Sequence, residues 1–201
     1  LNLCNKNMEN MDTNNNDGKA KHNLLAEVCM AAKFEGESIK GYHDKYQVQY
    51  PSSGSTICTV LARSFADIGD IVRGKDLYLG NKGEKKKRED LEKNLKTIFK
   101  KIHEDLVQNK KDAKDHYQKD GDKFFQLRED WWTANRHTVW KAITCSDKLR
   151  DASYFHATCS DGKGICSQAN KYCRCNGDQP GNDKENTDPP TYFDYVPQYL
   201  R

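Results

Sequence analysis

The feature that most constrains the fold is a stripe of apolar residues in the middle of the chain. Its members follow one another at spacings of four, three, four and four, which is the period of a helix that buries one face in a bundle. Other segments repeat this period and almost nothing favours strands, so the sequence predicts an all-α, antiparallel helical bundle. The stripe consists of Leu91, Leu95, Ile98, Ile102 and Leu106.

Four helices and their connections follow from this periodicity. The helix with the stripe is predicted to start near Arg88, after a charged surface loop at residues 80–87. Residues 160–190 are predicted to form an extended loop, and residues 191–201 to open a further helix. The other predicted helices span residues 23–46, 57–73 and 123–144, with Ser55 or Thr56 at the end of loop 50–56 as the cap of the second.

The stretch ADIGDIVRGKDLYLGN, residues 66–81, concentrates aspartates, cations and glycines as a functional site would. A phosphate loop needs glycines between a strand and a helix N-terminus, whereas these glycines follow a helical period. Gly74 stands where a helix C-terminal residue belongs, and that end of a helix repels phosphate. Asp67 and Asp70 have no third metal ligand beside them. The stretch is therefore predicted to end a helix, with Gly69 allowing close backbone approach.

A ridge of lysines is the candidate binding surface. The net charge is only +3, so attraction to an anion must come from a local patch. Lys93, Lys96 and Lys100 lie on the helix face opposite the apolar stripe and continue from residues 85–88. The ridge is predicted to bind sulfated glycans, sialic acids or membrane headgroups. The alternative is an ordinary solvated helix face, because acidic residues dilute the charge. Nucleic acid is not favoured, because no aromatic platform accompanies the lysines. The glycan-binding candidates are Lys85, Lys86, Lys87, Arg88, Lys93, Lys96 and Lys100.

Eight cysteines indicate a disulfide framework, which would brace the long loops of the bundle in an oxidising compartment. Zinc is the alternative, but the spacings from Cys159 to Cys175 are C-x6-C, C-x6-C and C-x-C, whereas structural zinc sites prefer two to four intervening residues. No metal site is therefore predicted. No N-x-S/T sequon is present, so the compartment prediction depends on the cysteines alone.

Neither a signal peptide nor a membrane span is predicted, since the longest mostly apolar run, residues 24–32, is short and contains a glutamate. The chain begins with Leu1 and stops at Arg201 within an aromatic segment, so it is interpreted as a fragment of a larger exported protein. No serine lies in a G-x-S-x-G motif, and no pair of carboxylates is surrounded by apolar residues that would raise a pKa. Neither enzyme activity nor a cofactor is therefore predicted. Trp131, Trp132 and Trp140 have helical spacing and are predicted to be core residues.

Three blocks together carry a family resemblance: ARSFADIGDIVRGKDLYLGN, EDWWTANRHTVWKAITC and DYVPQYLR. In this order they resemble the Duffy-binding-like domain, of the alpha class found in the variant erythrocyte membrane proteins of malaria parasites. The resemblance covers nearly the whole chain and is centred on the helical second subdomain of the family. It implies that residues 1–19 end subdomain one, residues 20–168 form subdomain two, and residues 169–201 form a connector and the start of subdomain three.

The resemblance also implies a function. Members of this family are adhesins displayed on the outer face of the infected red cell, where they mediate cytoadherence or rosetting. Family partners include complement receptor one, heparan sulfate and blood-group glycans. The resemblance does not select among these partners. A structural spacer, with the receptor contacts elsewhere in a larger adhesin, is the alternative interpretation.

The resemblance further implies disulfide pairings. It predicts a Cys58–Cys159 bridge and an additional Cys29–Cys145 bridge. Cys4 resembles a cysteine whose partner lies upstream of this chain. Cys166 is expected to pair with either Cys173 or Cys175, leaving one of these three for the third subdomain.

Overall fold

The computed structural model of the chain describes residues 3–13, 18–49, 56–77, 80–160, 166–185 and 187–201. Within these ranges the protein is predominantly helical, with one two-stranded ribbon and short 3-10 turns, so the all-α prediction is confirmed. None of the helices described is long and apolar enough to cross a bilayer. The α-helices are α1 (Lys6–Glu9), α2 (Ala20–Gln49), α3 (Ile57–Arg73), α4 (Lys82–Asn109), α5 (Lys111–His116) and α6 (Phe125–Ile143).

Helices α3 and α6 lie antiparallel at the centre of the bundle. The C-terminal residue of α3, Arg73, places Nη1 3.5 Å from Oε2 of Glu129 in the first part of α6. Further back along α3, the ring of Phe65 lies 5.2 Å from the rings of both Trp132 and Trp140. Helix α2 packs against both helices, and all three tryptophans are buried, which confirms the prediction that they are core residues.

The predicted end of α3 is confirmed. Gly74 adopts φ 73° and ψ 27°, and its N–H donates to the carbonyls of Asp70 and Ile71. Only glycine takes this left-handed conformation at low cost, so the residue terminates the helix and redirects the chain. At the other end of α3, Thr56 occupies the N-cap position without a capping side-chain hydrogen bond, and residues 50–55 lie outside the described ranges.

Helix α4 starts earlier than predicted. Residues 82–87, predicted as a loop, form its first turns, because Asn81 and Glu84 make a capping box. The Asn81 side chain accepts from the backbone N–H groups of Gly83 and Glu84, and Glu84 Oε2 accepts from the N–H of Asn81 at 2.9 Å. The N-x-x-E pattern is a helix start signal visible in the sequence. The many lysines that follow it obscured this signal.

The disulfide pairings predicted from the resemblance are wrong. Cys58 pairs with Cys173, and Cys159 with Cys175, so the predicted Cys58–Cys159 bridge does not form. The reason is a compact turn in which Tyr172, Cys173 and Asn176 all have positive φ. This turn brings Cys173 to the start of α3, where its carbonyl accepts from Trp140 Nε1 at 3.0 Å.

Four cysteines are free: Cys4, Cys29, Cys145 and Cys166. The predicted Cys29–Cys145 bridge is therefore absent. Cys29 lies partly buried on α2, whereas Cys145 is exposed just beyond the end of α6. Cys166 pairs with neither Cys173 nor Cys175, because each of those residues already has a partner.

The last segment of the chain packs back onto the bundle. Residues 193–195 and 198–200 form 3-10 turns where a further helix was predicted. Pro197, between these turns, has no N–H to donate to a continuous helix. The three-part division into subdomains stays a prediction.

Candidate functional site

Helix α4 concentrates the positive charge of the protein. Its buried side contacts the core through Leu91, Leu95, Ile98, Phe99 and Ile102. It contains nine lysines and arginines and six carboxylates, so its formal charge of +3 equals that of the whole chain. An anionic partner is therefore attracted to this helix more than to the rest of the molecule.

Three of the predicted lysines form a regular row. Lys86, Lys93 and Lys100 are seven residues apart, which places them on one face of α4 at intervals of about 10 Å. All three are exposed. Glu89 and Glu104 lie near this row and reduce its field. We call Lys86, Lys93 and Lys100 the α4 lysine row.

The other predicted residues surround the row unevenly. Lys85 and Lys87 are exposed in the first turns of α4, and Lys85 Nζ lies 4.0 Å from Glu89 Oε1. Arg88 is turned away from the row, with Nη1 3.3 Å from Asp76 Oδ2. Lys96 is half-buried. The seven predicted residues therefore share one helix without forming one continuous face.

Arg88 and Lys96 line a cavity of about 240 Å³ that also borders the end of α3 and the start of α6. Lys123, which was not predicted as a site residue, lines it too. Asp76 and Glu92 also line this cavity, so its walls carry both charges. Lys123 lies just before α6, and no periodicity in the sequence connects it to α4. Only the packing of α6 on α4 brings these side chains together.

A buried arginine fixes α4 against α6. Arg128 is fully buried, and its Nη1 donates to Glu92 Oε2 at 3.1 Å. Its guanidinium lies 5.2 Å above the ring of Phe99. Because charge pairing and stacking on an aromatic face both constrain its orientation, Arg128 sets the position of the basic helix on the bundle.

Two of the three aspartates in the stretch 66–81, Asp67 and Asp70, belong to a buried ionic cluster. Arg201 Nη2 lies 3.3 Å from Asp67 Oδ1 and also contacts Asp70 Oδ2. Arg73 pairs with Asp70 at 2.9 Å. Burial raises the pKa of the Asp67 carboxyl, and the charge of Arg201 opposes that shift. The cluster fastens the last residues of the chain to α3, so the stretch is structural, as predicted.

A second cluster is centred on Asp194. Its carboxylate accepts from Arg136 Nε at 2.8 Å, from Arg136 Nη2 at 2.9 Å and from Trp132 Nε1 at 2.9 Å. Its backbone carbonyl accepts from Arg73. Burial would lower the pKa of Arg136, but its hydrogen bonds to Asp194 and the charge of that carboxylate outweigh this effect and raise it.

A groove that the sequence did not predict lies between α2, α6 and the loop that follows Arg174. Its volume is about 680 Å³, and its lining includes Cys29, Met30, Lys33, Lys141 and Cys145. Burial raises the pKa of the Cys29 thiol to about 11, so this thiol stays protonated at neutral pH. The residues come from separate parts of the chain, and no local pattern in the sequence could have identified the groove.

Among the residues that the structure describes, no group of three or more histidines, cysteines or carboxylates could hold a metal ion. The arrangement that remains is a rigid, disulfide-braced helical scaffold with a basic row and a groove on its surface. Such a scaffold defines a binding module.

Comparison with known proteins shows the family to which this chain belongs. The family model for the Duffy binding domain matches residues 1–201, so the chain belongs to the Duffy-binding family. No curated protein matches the chain. The finer assignment to the alpha class stays a prediction.

Solved structures of PfEMP1 domains share the fold. The ICAM-1-binding DBLβ domain of IT4var13 PfEMP1 is 31% identical, with a TM-score of 0.65, and the match covers 99% of this chain and 39% of that one. A DBLβ domain from a second PfEMP1, bound to human ICAM-1, is 30% identical with a TM-score of 0.53, and the match covers 89% of this chain and 30% of that one. The chain thus spans well under half of either solved domain.

Proposed function

We propose that the protein is a host-receptor-binding adhesin module, displayed on the outer face of the infected red cell as part of a larger anchored protein. Family membership and the ICAM-1 binding of related PfEMP1 domains support this role. The two disulfides favour an oxidising, extracellular location. In this role the bundle holds its surface residues in fixed positions, and cytoadherence or rosetting follows from what those residues bind.

We further propose that the α4 lysine row binds a sulfated glycan such as heparan sulfate. The observation that carries this proposal is the heptad spacing of Lys86, Lys93 and Lys100, because a linear polyanion lying along α4 would contact all three. Complement receptor one and blood-group glycans remain candidate partners for the larger protein.

The experiment is retention on heparin. Reversing the row with Lys86→Glu, Lys93→Glu and Lys100→Glu changes the charge by six units on one face. We expect the natural chain to be retained at about 0.15 M salt and released as salt rises, because screening weakens exposed charges. We expect the triple variant to pass through the column.

A matched variant distinguishes an effect of the α4 lysine row from an effect of total charge. Lys45, Lys119 and Lys171 are exposed and lie elsewhere in the chain, so reversing them alters the total charge equally. Retention of this control, with loss in the row variant, supports the proposal. Equal losses would indicate a nonspecific charge effect, and unchanged retention of the row variant would remove the row from consideration.

The alternative is a structural spacer whose receptor contacts lie in the rest of a longer domain. The observation that favours it is that the chain spans only 39% of the ICAM-1-binding IT4var13 domain. Comparing red-cell and heparin binding by this chain and by a full-length domain that contains it distinguishes the two. Binding by the longer domain alone would favour the spacer.

A further inference from the structure

Three cysteines meet at the short ribbon formed by β1 (Cys159–Ser160) and β2 (Cys166–Ser167). The strands are antiparallel, with Cys159 opposite Ser167 and Ser160 opposite Cys166. Cys159 is bonded to Cys175, whereas Cys166 is an exposed free thiol. The free thiol of Cys166 therefore lies one residue along the ribbon from the position opposite Cys159, which belongs to a disulfide.

The distance between the backbones suits a disulfide, but the orientation does not. In an antiparallel pair, opposite Cα atoms are about 4.5–5.5 Å apart, so the diagonal neighbours Cys159 and Cys166 are within roughly 6–7 Å. A disulfide tolerates Cα separations up to about 6.8 Å. Successive side chains point to opposite faces of a ribbon, which keeps the exposed Cys166 away from the buried Cys159.

A slip of one residue would remove this obstacle. Such a slip places Cys166 directly opposite Cys159 and turns its side chain to the same face. The ribbon has only two residue pairs, and both residues of β2 are exposed, so burial specifies the register of β2 weakly. The disulfide to Cys175 itself is the covalent link that holds β1 in place.

We propose that Cys166 exchanges with the Cys159–Cys175 disulfide, so that the protein interconverts between two disulfide isomers. The Cys166 thiolate attacks Sγ of Cys159. The Cys159–Cys166 bond forms, the Cys159–Cys175 bond breaks, and Cys175 leaves as a thiolate that takes up the proton Cys166 lost. The number of disulfides stays at two, and neither an oxidant nor a reductant is consumed.

The exchange would alter the wall of the groove. Arg174, next to Cys175, donates to Asp178 at 3.2 Å and to Asp183 at 2.8 Å, and Arg174 and Asp183 both line the groove. With Cys175 released, this loop loses its covalent link to the ribbon. The link through Cys173 to α3 remains. The isomers therefore differ in the loop beside the groove while the bundle is unchanged.

The sequence makes the exchange easy to detect, because trypsin places the four relevant cysteines on different peptides. The purified chain is kept without redox reagents at pH 6 or pH 8, and samples are acid-quenched, alkylated in denaturant, digested and analysed by mass spectrometry. The expected peptides are 151–163 with Cys159, 164–171 with Cys166, 172–174 with Cys173, and 175–184 with Cys175.

Exchange predicts that peptide 151–163 becomes linked to 164–171 while Cys175 becomes alkylated. Only the thiolate attacks, so exchange should be faster at pH 8 than at pH 6. Cys166→Ser should abolish Cys175 alkylation, and Cys145→Ser, which removes the other exposed thiol, should leave the rate unchanged. Both substitutions are at exposed positions, so neither variant should fail to fold.

Two results would overturn the proposal. One is a natural chain in which Cys175 stays linked to Cys159 and Cys166 is alkylated throughout the incubation at pH 8. The other is Cys175 alkylation in the Cys166→Ser variant at the rate of the natural chain, which would show that Cys166 is not the attacking thiol.

Discussion

Gly69 and Trp132 show how one residue can specify the packing of two helices. A Cβ atom at Gly69 would lie 2.7 Å from Cζ2 and 2.9 Å from Cε2 of Trp132. The indole cannot move aside easily, because it is fully buried and its Nε1 donates to Asp194. Glycine at this position therefore lets α3 and α6 approach closely, which confirms the sequence-based expectation for Gly69.

We predict that Gly69→Ala lowers the free energy of unfolding by about 1–3 kcal/mol, since it overpacks a filled core. Gly41→Ala is the matched control. Gly41 is also helical but has nothing within 4 Å of its would-be Cβ, so alanine should stabilise the protein by up to about 1 kcal/mol. Urea unfolding measures both. A Gly69→Ala variant as stable as Gly41→Ala would mean that the helices are not in close contact there.

At the scale of elements, the C-terminal segment stabilises the bundle through buried charge. Residues 193–195 lie against α3 and α6, and Asp194 satisfies donors from both helices. An element with almost no regular structure thus holds two helices together. Buried charges of this kind tolerate the loss of a partner poorly, because the remaining charge is left without compensation.

We predict that Asp194→Asn lowers the free energy of unfolding by about 3–5 kcal/mol, because Arg136 would stay buried without its countercharge. Asp188→Asn is the control. Asp188 lies 3.9 Å from the same arginine but is 77% exposed, and screened pairs of this kind contribute about 0–1 kcal/mol. Chemical denaturation of the two variants checks the difference. Similar small losses would show that Asp194 is not the centre of the cluster.

At the scale of the whole molecule, the two disulfides close loops of very different length. Cys58 and Cys173 are 115 residues apart in sequence, and Cys159 and Cys175 are 16 apart. In the chain-entropy model the first restricts the unfolded chain more than the second. The long bridge ties the start of α3 to the cysteine-rich loop.

We predict that removing the long bridge, by Cys58→Ala with Cys173→Ala, destabilises the protein by about 1–2 kcal/mol more than Cys159→Ala with Cys175→Ala. All four side chains are buried, so the two variants lose comparable packing. Thermal unfolding under non-reducing conditions compares them. An equal effect of both pairs would contradict the entropic account.

The features that could be predicted from the sequence are those set by interactions between residues close together in the chain. The apolar stripe of α4, the end of α3 at Gly74 and the buried tryptophans follow from helical period and terminal residues. The early start of α4 is also encoded locally, in the Asn81 and Glu84 capping box, although the lysine-rich composition that follows is typical of a surface loop. The lysines of the candidate site could be identified because they lie on one helix.

The sequence by itself determined the helical class, the core faces and the family, because these depend on periodicity and on long motifs within single segments. Only the tertiary structure decided the disulfide pairing, the salt bridges of Asp67 and Asp194, and the groove beside Cys29. Each of these needs groups more than a hundred residues apart, or on separate elements, to meet. Such contacts depend on loop conformation, above all the positive-φ turn around Cys173, and a linear pattern of residue types does not specify it.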